Sequence, residues 1–344
     1  MSKKKPCILS AMTTNVHMWH EELRLHIQTA AKSLIVILGP TASGKTDFSL
    51  DTAEAIGRAE IVNADSRQLY RGLDIGTAKI RPDDMRGIPH HLIDVLDPTE
   101  EVTVAWYKEH AERTIDEILS RKHVPILVGG SMLYISAIID GLEPLSPVDL
   151  GIRKKLEADY DRDGGVSAYK RLQELDPDAA FAFHPNNKPY VIRALEIIES
   201  TGHRASKQKR HATSPYDLFI LGLQWPRVKI VKRINERTKN LLGHYNTSIN
   251  GSIEGLGWVG EVWKLMQRGV PIDVPAMKSH GYREIYEAIS RKLQAVSTMT
   301  PEVLRAIAQD PKLYESIAAK TRQYAKRQVT WWKHDSRIHW IDRG

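Results

Sequence analysis

The chain has 344 residues, 42% of them hydrophobic and 26% charged, with a formal net charge of +7. That is enough for a sizeable core and about two domains, while no apolar run reaches the ~18 residues a membrane-spanning helix needs. The single cysteine, Cys7, excludes an internal disulfide framework and a multi-cysteine zinc site and suits a reducing cytosol; the positive balance leans toward a polyanionic partner.

Lys3-Lys4-Lys5 is followed by a run broken at Thr13, Thr14, Asn15 and His17, then at Glu21-Glu22, so no signal-peptide apolar segment forms. Residues 1–32 are expected to be a poorly ordered extension ahead of the first strand. Leu34 to Leu38 is an apolar, β-branched run of strand length; Gly39-Pro40-Thr41-Ala42-Ser43-Gly44-Lys45-Thr46 comes next, then a helical FSLDTAEAI. Strand, G-x-x-x-x-G-K-[ST] and helix form the context in which backbone amides and the helix dipole cradle a phosphate.

AEIVNADS (59–66) reads as a second strand ending by Asp65. Over 102–122, Val104, Tyr107, Ala111, Ile115 and Ile118 recur at spacings of three and four, which predicts a helix. VPILVGG (124–130) is a continuous apolar run closed by two glycines, as a buried parallel strand would be. Strands alternating with helices predict an α/β fold with a parallel sheet covered on both faces.

The pattern changes after Leu142-Glu-Pro-Leu-Ser-Pro147, and from 149 to 207 only helical stretches follow. Strand character returns at DLFILGLQW (217–225), and IHWID (338–342) is a last strand. The expected organisation is therefore a core of 33–144 and 208–344 with a helical insert at 145–207. HYNTSINGSIEGLG (244–257) reads as a long surface loop. The fourteen histidines, His90-His91 among them, lack partner cysteines and any H-E-x-x-H, and read as non-ligands.

A phosphate loop alone suggests a kinase or an NTPase that binds ATP. An NTPase normally ends a buried strand with an acid that holds Mg²⁺, yet VPILV runs into Gly129-Gly130-Ser131. The nearest carboxylate on the sheet rim is Asp65, and strand C-termini line the crevice of a parallel sheet. Such a carboxylate suits proton removal from a nucleophile better than ATP hydrolysis; a turn or helix-capping Asp is the alternative.

Six blocks stand in order: GPTASGKT (39–46), NADSRQLYRGLDIGTAK (63–79), PHHLIDVLDP (89–98), PILVGGSMLYI (125–135), HPNN…RALEI (184–197) and TRQYAKRQVTWW (321–332). Together they resemble the tRNA dimethylallyltransferase (tRNA isopentenyltransferase) family over roughly 33–342. The resemblance implies a P-loop NTPase-like parallel sheet flanked by helices, with an inserted all-helical domain that contacts tRNA. It also implies that the loop holds dimethylallyl diphosphate rather than a nucleoside triphosphate. The prenyl group would pass to N6 of the adenine 3′ of the anticodon, in tRNAs reading codons that start with U, and diphosphate would leave.

By the same resemblance, Asp65 is the general base or positions the N6 hydrogens, and Thr41 lies near the scissile oxygen. Gly39, Pro40, Thr41, Ala42, Ser43, Gly44, Lys45, Thr46 and Arg237 face the diphosphate, with Thr46 on the side of a Mg²⁺ cofactor and Arg233 a weaker candidate. Asp65, Ser66, Arg67 and Gln68 would grip the flipped-out base, and Ser131, Arg153 and the strip Pro189, Tyr190, Val191, Ile192, Arg193 match tRNA-contact positions. Lys278, Arg283, Arg322, Lys326 and Arg327 complete the expected tRNA surface for the anticodon stem-loop.

Tyr190 stands where the family often carries arginine, and the 244–257 loop is an insertion. No zinc finger precedes Gly344, so the compact bacterial type is expected, cytoplasmic, without a membrane and monomeric by default. Three other readings are a small-molecule kinase, a non-catalytic RNA-binding protein and a prenyltransferase acting on free AMP, ADP or ATP. The core motifs alone do not separate tRNA from a free adenine nucleotide.

Overall fold

Short, apolar-rich runs bounded by glycine and polar residues form strands that must be covered on both faces. Strands β1 (Ser33–Leu38), β2 (Ala59–Ala64) and β4 (Val124–Gly129) are buried at every position. With β3 (His90–His91), β5 (Asp217–Gln224) and β6 (Ile338–Asp342) they make a six-stranded, parallel sheet in the order β3-β2-β4-β1-β5-β6. The computed structural model describes residues 16–142, 149–207, 213–243, 256–296 and 298–344.

Register decides what the sheet presents. Ile37 lies beside Val128, and Ala64 beside Gly129, so β1, β2 and β4 end together. Residues just past those ends therefore converge on one rim, the usual ligand edge of an open parallel sheet. Helix α2 (Lys45–Ile56) starts at that rim and stops at Gly57, whose φ of 78° makes the left-handed turn that favours glycine. Helix α3 (Val104–Ser120) starts at Thr103, whose side chain accepts from the Trp106 amide, and buries Tyr107, Ala111, Ile115 and Ile118 as its periodicity predicts.

Two compact units divide the chain: 1–138 with 215–344, and 139–214. The first holds the sheet together with α4 (Met132–Ile139, which runs to its boundary), α9 (Arg227–Gly243), α10 (Gly257–Gln267), α11 (Tyr282–Leu293), α12 (Pro301–Ala308) and α13 (Pro311–Trp332). The second contains α5 (Leu150–Asp163), α6 (Val166–Leu175), α7 (Pro177–Ala182) and α8 (Lys188–Thr201) around their own core of Leu156, Leu172, Val191 and Leu195. Asp176, fully buried, joins two parts of that unit by accepting from the Ala179 amide and from Ser206.

One expectation needs correction. Residues 16–29 of the supposed extension form helix α1 (Val16–Thr29), in which Trp19, Leu23 and Ile27 recur every four residues. That spacing puts them on one face, where they pack on the cluster that also contains Ile35, Phe48 and Phe219. Strand β3 and helix α7 were not anticipated, because two and six residues are too short for a period to show. Residues 1–15, most of the 244–257 loop, and the segments 143–148 and 208–212 around the expected insert boundaries lie outside the described residues.

Candidate active site

A cleft of about 890 Å³ opens on the rim, lined by the glycine loop, Asp65, Gln68, Thr77, Gly130, Arg233, Arg237 and Gln328. The glycine loop turns through two left-handed residues, Ala42 (φ 63°) and Gly44 (φ 87°), which suits the concave amide arrangement that binds anions. Two side chains brace it through its carbonyls. Arg233 donates from Nε to the Ala42 carbonyl (2.8 Å) while stacked on Trp225, whose Nε1 donates to the Ser43 carbonyl (3.0 Å). Lys45 folds back over the loop, donating from Nζ to the carbonyls of Gly39 (3.0 Å) and Pro40 (2.9 Å). Burial pushes its ammonium down to about 8, against the pull of Asp65 and together with the repulsion of Arg237. The same burial lowers the Arg237 guanidinium from its ordinary value, with Asp65 opposing.

Asp65 is held from both sides. Its amide donates to Asn63 Oδ1 (3.0 Å), and its own Oδ1 accepts from the Arg67 amide (2.9 Å). Asn63 is itself fixed by Leu92 (Nδ2 to carbonyl, 2.8 Å), and Tyr107 donates its hydroxyl to the Asn63 carbonyl (2.9 Å). The carboxylate therefore points from a rigid strand end into the cleft that the loop lines.

The end of β4 explains the missing acid. A Cβ at Gly129 would stand 2.1 Å from the Ala64 carbonyl oxygen, and one at Gly130 would stand 2.6 Å from Gln328 Nε2. Gln328 fills that space, accepting from the Thr41 amide (2.8 Å) and donating to the Gly130 carbonyl (2.7 Å). Tyr324 donates its hydroxyl to the same carbonyl (2.9 Å). A neutral amide thus occupies the place where an NTPase carries its metal-holding carboxylate. The sequence places Gln328 only within the block 321–332 that resembles tRNA-facing segments, not at the loop; the signal for its burial was a face shared with Ala325 and Trp332.

Thr46 sits exposed on the first turn of α2. Among the described residues no group of three or more His, Cys, Asp or Glu side chains gathers to hold a metal. Next to the cleft lies a smaller hollow of about 330 Å³ lined by Ser66, Arg67, Tyr70, Ser131, Tyr134 and Tyr324, among others. The Ser66 amide donates to Ser131 Oγ (2.8 Å), and Arg67 reaches the Pro275 carbonyl. Gln68 Nε2 and Arg237 Nη2 both donate to the Thr77 carbonyl, at 3.3 and 3.1 Å.

The remaining expected tRNA contacts divide. Lys278, Arg283, Lys326 and Arg327 are exposed, Arg283 pairing with Glu287 and Arg327 lying 5.7 Å from the Tyr324 ring centre. Arg322 is turned inward, to Asn235 (2.9 Å) and Glu315. In the helical unit, Arg153 and Arg193 both pair with the fully buried Glu196. Pro189 and Tyr190 are exposed, whereas Val191 and Ile192 are buried in that unit's core. The latter two side chains cannot form a tRNA surface, because the α8 period turns them inward.

A family model described as IPP transferase matches residues 68–335. The tRNA dimethylallyltransferase of Geobacter sulfurreducens is 39% identical over 312 residues, spanning 90% of this chain and 91% of that one. That of Symbiobacterium thermophilum is 39% identical over 313 residues, with 90% and 89% covered. The crystal structure of the full-length tRNA isopentenylpyrophosphate transferase from Bacillus halodurans is similar at a TM-score of 0.60 and 36% identity, over 90% of each chain. A eukaryotic dimethylallyltransferase, caught acting on tRNA, is similar at a TM-score of 0.69 and 25% identity, over 91% of this chain and 74% of that one.

Proposed function

The chain belongs to the IPP transferase family, whose members similar to it are tRNA dimethylallyltransferases, and from that premise we propose how its cleft transfers a dimethylallyl group to tRNA. The donor is dimethylallyl diphosphate, and the acceptor is N6 of the adenine 3′ of the anticodon in tRNAs reading codons that start with U. The observation that carries this reading is the pairing of an anion-binding loop with Asp65 while glycine and Gln328 occupy the place of an ATPase acid.

The N6 amine is a weak nucleophile, since its lone pair is delocalised into the ring. Its attack on the allylic C1 forms the C1–N bond as the C1–O bond to diphosphate breaks, and one N6 proton departs. Asp65, fixed by Asn63 and the Arg67 amide, accepts that proton or orients it. Lys45, Arg237 and the loop amides stabilise the charge growing on the leaving diphosphate. Thr41, which lines the cleft with its amide tied to Gln328, would meet the scissile oxygen with its hydroxyl. The adjoining hollow, with Tyr70, Tyr134 and Tyr324, suits an unstacked base.

A divalent metal accompanies such prenyl transfer, and Mg²⁺ is the ion that the hard oxygen donors at the loop would suit. The hard hydroxyl of Thr46, exposed on the first turn of α2, would be its protein ligand. When bound, it neutralises charge on the leaving group. Arg67, Gln68, Ser131, Lys278, Lys326 and Arg327 face the tRNA, and the exposed Pro189 and Tyr190 of the helical unit contribute to its grip. The single cysteine suits a cytoplasmic setting.

Ligand-induced protection against thermal unfolding tests the donor. Inorganic diphosphate and dimethylallyl diphosphate should each raise the unfolding temperature with increasing concentration, by mass action. Steady ATP hydrolysis independent of tRNA, without prenyl transfer, would move the cleft to the NTPase class.

A further inference from the structure

Glu261, on α10, is a buried carboxylate with an unusual set of partners. One oxygen accepts from the amides of Asp74 (2.8 Å) and Ile75, and the other from the amide of Gly76 (3.1 Å) and the Tyr282 hydroxyl. Four donors fill the four acceptor sites of an ionised carboxylate. The loop they come from is packed without slack. A Cβ at Gly76 would stand 2.0 Å from Trp258 Nε1, and one at Gly281, just before Tyr282, would stand 1.9 Å from the same indole. Tyr282 meets Trp258 edge-on, at 5.4 Å between ring centres.

The residue after this clamp is Thr77, whose carbonyl takes a hydrogen bond from Arg237 on the diphosphate side and one from Gln68 on the acceptor side. One backbone oxygen thus orients a side chain of each half-site, and its position follows from the amides immediately before it. We infer that Glu261 is a positioning residue: by gathering three successive amides it sets the Thr77 carbonyl and, through it, the spacing between the donor-binding Arg237 and the base-binding Gln68. This rests on the prenyl-transfer reading for the roles of Arg237 and Gln68. Burial pushes the Glu261 carboxyl above its ordinary value although the four hydrogen bonds pull it back, and among the described residues no cation is one of its hydrogen-bond partners, so placing it here is costly. A need for a fixed loop supplies a reason.

Glu261→Gln keeps the volume but turns an amide NH₂ toward backbone donors; Tyr282→Phe removes one donor and keeps the ring packing. The measurement is single-turnover prenyl transfer at saturating donor and tRNA, well below each variant's unfolding temperature, alongside titration with inorganic diphosphate. Glu261→Gln should slow transfer by about 10–100-fold, the scale of a misplacement near 1 Å, and weaken diphosphate binding by about tenfold. Tyr282→Phe should shift both in the same direction by less, and stands in if Glu261→Gln does not fold. In a background of Gln68→Ala with Arg237→Ala, Glu261→Gln should cost only a few-fold more, because the carbonyl then has nothing to orient.

A folded Glu261→Gln or Tyr282→Phe protein with wild-type transfer and wild-type diphosphate affinity would overturn the inference. So would a full loss that persists in the double-variant background, the mark of a structural role alone. If the wild type transfers nothing to tRNA, the prenyl-transfer reading fails. The diphosphate titration still decides whether Glu261 controls Arg237.

Discussion

Asp65 and Gln328 both line the cleft, yet only the first could be read from the sequence as part of it. Asp65 closes a short apolar strand, and strand ends reach the ligand rim by local logic alone. Gln328 comes from the far end of the chain, and its bond to the Thr41 amide spans 287 residues. No local pattern encodes such a distance. Asp65→Ala should lower kcat by about 10²–10⁴, the range for losing a general base, with little change in tRNA affinity. Wild-type single-turnover transfer would remove Asp65 from the mechanism. A second residue acts on stability instead. Glu60, near the start of β2, binds Arg121, His91 and His123, and its carboxyl is pulled down to about 2, chiefly by Arg121, from an ordinary 4.5. A depressed folded-state value means stability present above the unfolded value and lost as pH falls through the folded one. Glu60→Gln should cost about 1–3 kcal/mol at neutral pH, and the gap to wild type should narrow between about 4.5 and about 2. Denaturant melts at pH 7 and near pH 3 measure it; a gap that does not change with pH would reject this role.

Among elements, α1 and α13 show opposite lessons. Helix α1 carries its signal in Trp19, Leu23 and Ile27, an apolar stripe that the intervening His20, Glu21, Glu22 and Arg24 hide from a search for a continuous apolar run. In α13 the basic cluster was legible, and its division was not. Arg322 spends its guanidinium on Asn235 of α9 and on Glu315, while Lys326 and Arg327 remain exposed. If those two meet tRNA phosphates, changing both to Ala should flatten the log–log salt dependence of tRNA binding by about 1.4–1.8. Arg322→Ala should lower thermal stability and leave that slope nearly unchanged. Fluorescence anisotropy at several salt concentrations separates the two, and an unchanged slope in a folded double variant would end the tRNA role of this strip. Val191 and Ile192 illustrate the same limit in α8: a strip read as a surface is half core, because every helical turn contributes to both faces.

At the scale of the whole molecule, the parallel sheet follows from the alternation of apolar strands and helices, and five of its six strands could be read in advance. The edge strand β3, two residues long, could not. The identity of the phosphate was also beyond the glycine loop itself, which by its own residues names ATP. Separate blocks along the chain were needed to name a prenyl diphosphate, and the choice between tRNA and a free nucleotide lies in surfaces rather than in the cleft. The central claim is therefore tested most directly by offering the protein labelled dimethylallyl diphosphate with Mg²⁺ and, in parallel reactions, tRNA or AMP. Label should enter tRNA, be recovered on N6 of a single adenine beside the anticodon, and stay absent from AMP. Label recovered in AMP with none in tRNA would contradict the account.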